Sequence, residues 1–126
     1  MRVLVSTSGL YTYPDVIVVC GYPEFSDDQF DTIVNPIVII EVLSPSTESY
    51  DRGKKFQDYR TLKSLQEYLL ISQDKPLIER YLRSDHGEWI FGDAQGLEAS
   101  LTLTSIDCIL RLSDVYRKVD FSETSD

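Results

Sequence analysis

The chain has 126 residues, 12 basic against 21 acidic side chains, and a formal net charge of −9. That length suits one domain, expected over residues 1–126, and the acidity argues against a protein that coats nucleic acid through bulk charge. No apolar run approaches the roughly 18 residues of a membrane span, the first residues lack a signal-peptide core, and two cysteines make neither a disulfide framework nor a four-thiolate zinc site. A cytoplasmic location without membrane contact is the resulting expectation. The charge is uneven. Residues 1–50 sum to −6, residues 51–90 to +1 and residues 91–126 to −4, with Arg52, Lys54, Lys55, Arg60 and Lys63 within twelve positions. That cluster reads either as a solvated helix face or as a phosphate-attracting strip.

In chain order, Arg2–Val5 alternates weakly as a short strand, Gly9–Pro14 reads as a turn, and the β-branched Asp15–Cys20 as a strand. Gly21–Asn35 is polar and acidic and is expected to be an exposed loop. Pro36–Leu43 is apolar on both alternating faces except at Glu41, the pattern of a central strand covered on both sides. The turn-rich Ser44–Ser49 follows, and Asp51 can N-cap a helix running to about Leu62. Glu67–Ser72, Leu77–Arg83 and Glu88–Phe91 read as successive strands, the last two joined at Asp85-His86-Gly87. Leu101–Leu103 reads as a further strand and Ser113–Val119 as a short terminal helix with a frayed tail. A strand, a helix and another apolar strand between Ile37 and Ile71 predict a parallel crossover. The later strands add an antiparallel extension. The fold class is therefore α/β in composition, a mixed sheet of α+β type with few helices.

Three residues carry the chemistry. Glu41 places a carboxylate on an otherwise apolar strand, where an unpaired charge is costly; it is a buried ion-pair partner, a strand-end residue reaching solvent, or a metal ligand or acid-base group. Asp15 opens another apolar strand. If the two strands are neighbours, about 4.8 Å apart, the two carboxylates can share a hard divalent cation, magnesium or manganese; otherwise Asp15 is a strand-end aspartate. On the helix, Phe56, Tyr59 and Leu62 mark the inward stripe; Lys55 falls within it and Lys54 points nearly opposite. Lys55 can pair with Glu41, neutralise charge on a phosphate, or snorkel at the helix border. His86 reads as an exposed turn residue. Cys20 and Cys108 read as core fillers, Ser44, Ser46 and Thr47 as turn residues, and Tyr13, Tyr59, Tyr68 and Tyr81 as packing.

The segments YPDVIVV, PIVIIEVLSPST, YDRGKKFQDYR and SLQEYLLI together resemble the Uma-type family of restriction endonucleases, within the PD-(D/E)xK nuclease superfold. The resemblance spans about Tyr11 to Phe121 and implies a restriction-endonuclease-like core with magnesium-dependent DNA hydrolysis. Pro14-Asp15 is similar to the PD element and Glu41 to the second acid. Where the superfold has lysine two residues later this chain has Leu43, and the lysine role falls to Lys55. Family members usually carry an additional N-terminal portion, most of which is expected to have no counterpart in this sequence. The resemblance therefore leaves two expectations, an endonuclease or an inactive remnant acting as an interaction module, with a homodimer covering exposed sheet edge in either case.

Overall fold

The computed structural model describes residues 2–5, 10–19, 21–26, 29–46 and 48–119. In chain order the strands are β1 (Arg2–Val5), β2 (Leu10–Thr12), β3 (Val16–Val18), β4 (Phe25–Ser26), β5 (Gln29–Ile33) and β6 (Val38–Val42). Two short helices follow, α1 (Glu48–Arg52) and α2 (Lys54–Tyr59). Then come β7 (Glu67–Ile71), β8 (Leu77–Arg83), β9 (Trp89–Gln95), β10 (Ser100–Leu103), β11 (Cys108–Arg111) and α3 (Leu112–Val115).

The principal sheet has the order β3-β6-β7-β8-β9, and the predicted crossover is present: β6 and β7 pair in parallel, while β3, β8 and β9 are antiparallel to their neighbours. The fold is a mixed α+β sheet with few helices. β6 is buried on both faces because the two sides of the sheet are both covered. On the helix side, Ile39, Leu43, Tyr68 and Leu70 meet Phe56, Tyr59 and Leu62, with Val3 and Val5 of β1 in the same cluster. On the other side, Val38, Ile40, Leu69 and Ile78 meet Leu101, Leu103, Leu112 and Tyr116. Each fully buried aliphatic side chain contributes about 1.5–3 kcal/mol. Phe56 anchors α2 to the sheet, stacking on Tyr68 at 5.4 Å and Tyr81 at 4.3 Å between ring centroids and meeting the edge of Trp89 at 5.3 Å.

Several expectations are corrected. Gly21–Asn35 is not simply a loop. It carries β4 and β5, and β5 joins β1 in parallel within a second sheet of order β2-β1-β5-β4. Pairing with β1 buries Thr32 and Ile33 and overrides the acidic local composition. β2 occupies part of the expected Gly9–Pro14 turn. The expected helix from Asp51 to Leu62 is two helices that meet at Gly53 (φ −103°, ψ −85°), and Asp51 lies near the end of α1 instead of capping. β11, which no local pattern announces, forms a hairpin with β10, and the terminal helix starts at Leu112 and not at Ser113. Cys20, Thr47 and the tail beyond Val119 lie outside the described residues.

Past α2 the chain turns back to the sheet under the control of Arg83. Its Nε donates to the Leu65 carbonyl at 2.8 Å and its Nη2 to those of Leu62 and Arg60 at 2.9 and 3.0 Å, while the guanidinium lies 4.6 Å from the Trp89 ring. This clamp fixes the end of α2 and, with Phe56, the position of its first turn against β6.

Candidate active site at the end of the central strand

Glu41 lies on the helix-facing side of β6, in the same row as Leu70 and Glu79 of the next two strands. It is 2% exposed. The Val16–Ile40 register of β3 and β6 brings Asp15 beside it. The two residues latch the strand ends reciprocally: the Asp15 amide donates to Glu41 Oε1 at 3.0 Å, and the Val42 amide donates to Asp15 Oδ2 at 2.7 Å. Asp15 itself is exposed, so it sits at a strand end with solvent access.

Lys55, in the first turn of α2, donates from Nζ to Glu41 Oε2 in a close ion pair. Lys54 points away to solvent and pairs at 3.5 Å with the buried Asp58, one turn on. The three predicted residues are thus brought together, Glu41 bridging Asp15 on one side and Lys55 on the other. A fourth group joins them. Asp51, 3% exposed, places Oδ1 3.4 Å from the Lys55 ammonium, and its carbonyl accepts from the Tyr68 hydroxyl at 2.9 Å. Asp51 is thus an ion-pair partner and not the helix cap its position in the sequence suggests. Its i,i+4 spacing to Lys55 was the available signal.

Two buried carboxylates therefore share one ammonium. Burial pushes the Glu41 carboxyl above its ordinary value of 4.5, only partly offset by its bond to Lys55. For Lys55 burial works against the charge, but Glu41 and Asp51 outweigh it and raise the ammonium above 10.5. The Tyr68 phenol is driven up as well, by burial first and then by the charges of Glu41 and Asp51. Beside this group, Arg52 grips Glu79 with two bonds of 2.8 and 2.5 Å and reaches back to Glu48 at 3.2 Å. Of the five clustered bases, Arg52 and Lys55 are thus turned inward; Lys54, Arg60 and Lys63 are exposed.

The donors suit a hard cation: Asp15, Glu41 and Asp51 set three carboxylates against one ammonium, with oxygen ligands only. Among the described residues no three His, Cys, Asp or Glu side chains form a ready-made metal cage. Two carboxylates completed by water and phosphate oxygens are nonetheless sufficient for magnesium. The remaining candidates stay structural. His86 is exposed in its turn beside Gly87 (φ 83°), Tyr59 and Tyr68 are fully buried, and the Ser44 and Ser46 hydroxyls lie 3.3 Å apart.

Comparison with known proteins bears on the family and the fold. The family model Uma2, described as "Putative restriction endonuclease", matches residues 1–110. Two uncharacterized proteins of Synechocystis sp. are 39% identical over 101 residues and 37% identical over 121 residues. Those alignments cover 80% and 96% of this chain but 57% and 62% of the relatives, so the chain spans about three fifths of their length. A crystal structure from Anabaena variabilis, described as "a putative nuclease belonging to DUF820", superposes with a TM-score of 0.68. It covers 92% of this chain and 64% of its own at 18% identity, which establishes the shared fold.

Proposed function

Because the chain belongs to the Uma2 family, described as "Putative restriction endonuclease", we propose that it is a metal-dependent DNA endonuclease hydrolysing phosphodiester bonds. The observation that carries this reading is the buried Glu41 carboxylate set between Lys55 and the strand-end Asp15. In the proposal Asp15 and Glu41 hold Mg²⁺ or Mn²⁺. When bound, the cation supplies Lewis-acid stabilisation of the phosphate charge and lowers the pKa of the attacking water. Lys55 neutralises charge that develops on the phosphate in the transition state, a contribution of about 10²–10³ in rate for one well-placed donor. Asp51, 3.4 Å from the ammonium, would keep Lys55 paired if Glu41 held the cation. The exposed Arg60 and Lys63 offer phosphate contacts on an otherwise acidic body.

A second reading, an inactive nuclease fold serving as an interaction module, is favoured by one observation: the Lys55 ammonium already occupies Glu41 Oε2. Calorimetric titration with Mn²⁺ separates the two. The nuclease reading expects one saturable Mn²⁺ site in the wild type that is lost in Glu41→Ala and Asp15→Ala. No heat of binding, or binding indifferent to both substitutions, favours the module. Dimerisation belongs to the same proposal, and the surface that would carry it can be located.

A further inference from the structure

The principal sheet ends at β9, which among the described residues pairs with β8 alone. Natural edge strands are kept from pairing by proline, by lysine, by bulges or by shortness. β9 has none of these: it is seven residues long, contains neither proline nor lysine, and has Asp93 as its one charge. Two of its apolar side chains stand open on opposite faces, Ile90 at 55% and Phe91 at 49% exposure. The other end of the strand is occupied, since Ala94 packs against the cluster that holds Leu101 and Leu103 of β10. The open part is Trp89–Gly92.

We infer that Trp89–Gly92 of β9 is a self-association edge, pairing antiparallel with the same segment of a second copy to form a continuous ten-stranded sheet. Two physical constraints select this occupant. Every copy carries −9, so self-contact requires a stretch free of charge, and Trp89-Ile90-Phe91-Gly92 is such a stretch. The stretch itself offers a nucleic-acid backbone no cation, and the neighbouring Arg83, 4.6 Å from the Trp89 ring, is already engaged by the carbonyls of Leu65, Leu62 and Arg60.

The register follows from side-chain faces. Trp89 and Phe91 lie on the helix side, where Trp89 meets Phe56 at 5.3 Å and Phe91 meets Tyr81 at 5.2 Å; Ile90 lies on the other. A twofold axis perpendicular to the sheet keeps each face on its own side, so it passes through a residue position. An axis at Phe91 would set Trp89 against the partner's Asp93, and one at Gly92 would set Phe91 against it. An axis at Ile90 instead sets Trp89 against the partner's Phe91, Ile90 against the partner's Ile90, and Glu88 against the partner's Gly92. Aromatic then faces aromatic and no acid faces a ring or another acid.

Sedimentation of the full chain tests this independently of any nuclease activity. The wild type is expected at twice 14.4 kDa, with Ile90→Lys reduced to the monomer mass. Ile109→Lys, on β11 and equally exposed at 55%, should remain dimeric. Should Ile90→Lys fail to fold, hydrogen exchange on the wild type replaces it: amides within Trp89–Gly92 should gain protection as concentration rises. In a chain with Cys20 and Cys108 replaced by serine, Ile90→Cys is expected to form a covalent dimer on oxidation. A wild-type monomer at every concentration, a dimer that survives Ile90→Lys, or protection independent of concentration would overturn the inference.

Discussion

Lys55→Met is expected to destabilise the fold by about 3–5 kcal/mol at neutral pH, whereas Glu41→Gln should cost less than about 1 kcal/mol. The asymmetry follows from the charge count around the ammonium. Glu41 and Asp51 are both almost wholly buried, and Lys55 is their shared cation. Removing the cation strands two carboxylates in a poorly hydrated site. Removing one carboxylate leaves Lys55 paired with Asp51 and relieves a group whose ionised form burial already disfavours. Chemical denaturation of the two variants measures the difference. Equal losses would show that the trio does not act as a net-negative unit.

The pH dependence of the same pair has a definite sign. The Lys55 ammonium is held above 10.5 in the fold, so its contribution is fully present below pH 10.5 and is lost as pH rises through the raised value. Lys55→Met should lack this part of the alkaline loss. The Glu41 shift has the same sign in a lower pH range: its raised carboxyl favours the fold most below 4.5, and that advantage disappears as pH rises through the raised value.

The second large effect lies on the other face of the sheet. Glu67, fully buried at the start of β7, accepts from the Ser105 amide at 2.9 Å and from the Ser105 hydroxyl. Its other oxygen lies 3.6 Å from Arg80 Nη1, which in turn donates to the Thr102 carbonyl. This carboxylate therefore ties the β10–β11 hairpin to the principal sheet. Glu67→Ala removes the partner of a largely buried guanidinium and of a backbone amide, at a cost of about 3–5 kcal/mol. Glu67→Gln keeps an acceptor for Ser105 and should cost about 1.5–3 kcal/mol, the worth of the lost charge assistance. Hydrogen exchange should show the loss first in Ser100–Arg111. Uniform deprotection of β6 and β7 together with the hairpin would contradict the local role.

What could be read in advance divides along physical lines. β6 and its parallel partner β7 were legible because burial on both faces leaves a continuous apolar run, and Glu41 was conspicuous against it. Lys55 could be chosen over Lys54 because helical periodicity separates adjacent residues by about 100°. β5 was not legible: its burial arises from pairing with β1, some thirty residues earlier, and no local pattern in an acidic stretch announces it. Asp51 was misassigned because a helix cap and an i,i+4 ion-pair partner carry the same sequence signal, and the break at Gly53 decides between them. The Glu67–Arg80–Ser105 tie was equally hidden, since three distant segments meet only once the sheet and hairpin are assembled. Arg52 shows the same limit from another side, since its place in the cluster of bases did not disclose that Glu79 would hold it.

The most direct test of the proposed chemistry is cleavage of plasmid DNA in Mg²⁺ by the wild type, Glu41→Ala and Lys55→Ala, each verified as folded by circular dichroism. The proposal predicts strand scission by the wild type that disappears on chelation. It further predicts scission reduced to background in Glu41→Ala and by about 10²–10³ in Lys55→Ala. Wild-type inactivity, or equal cleavage by all three proteins, would contradict it.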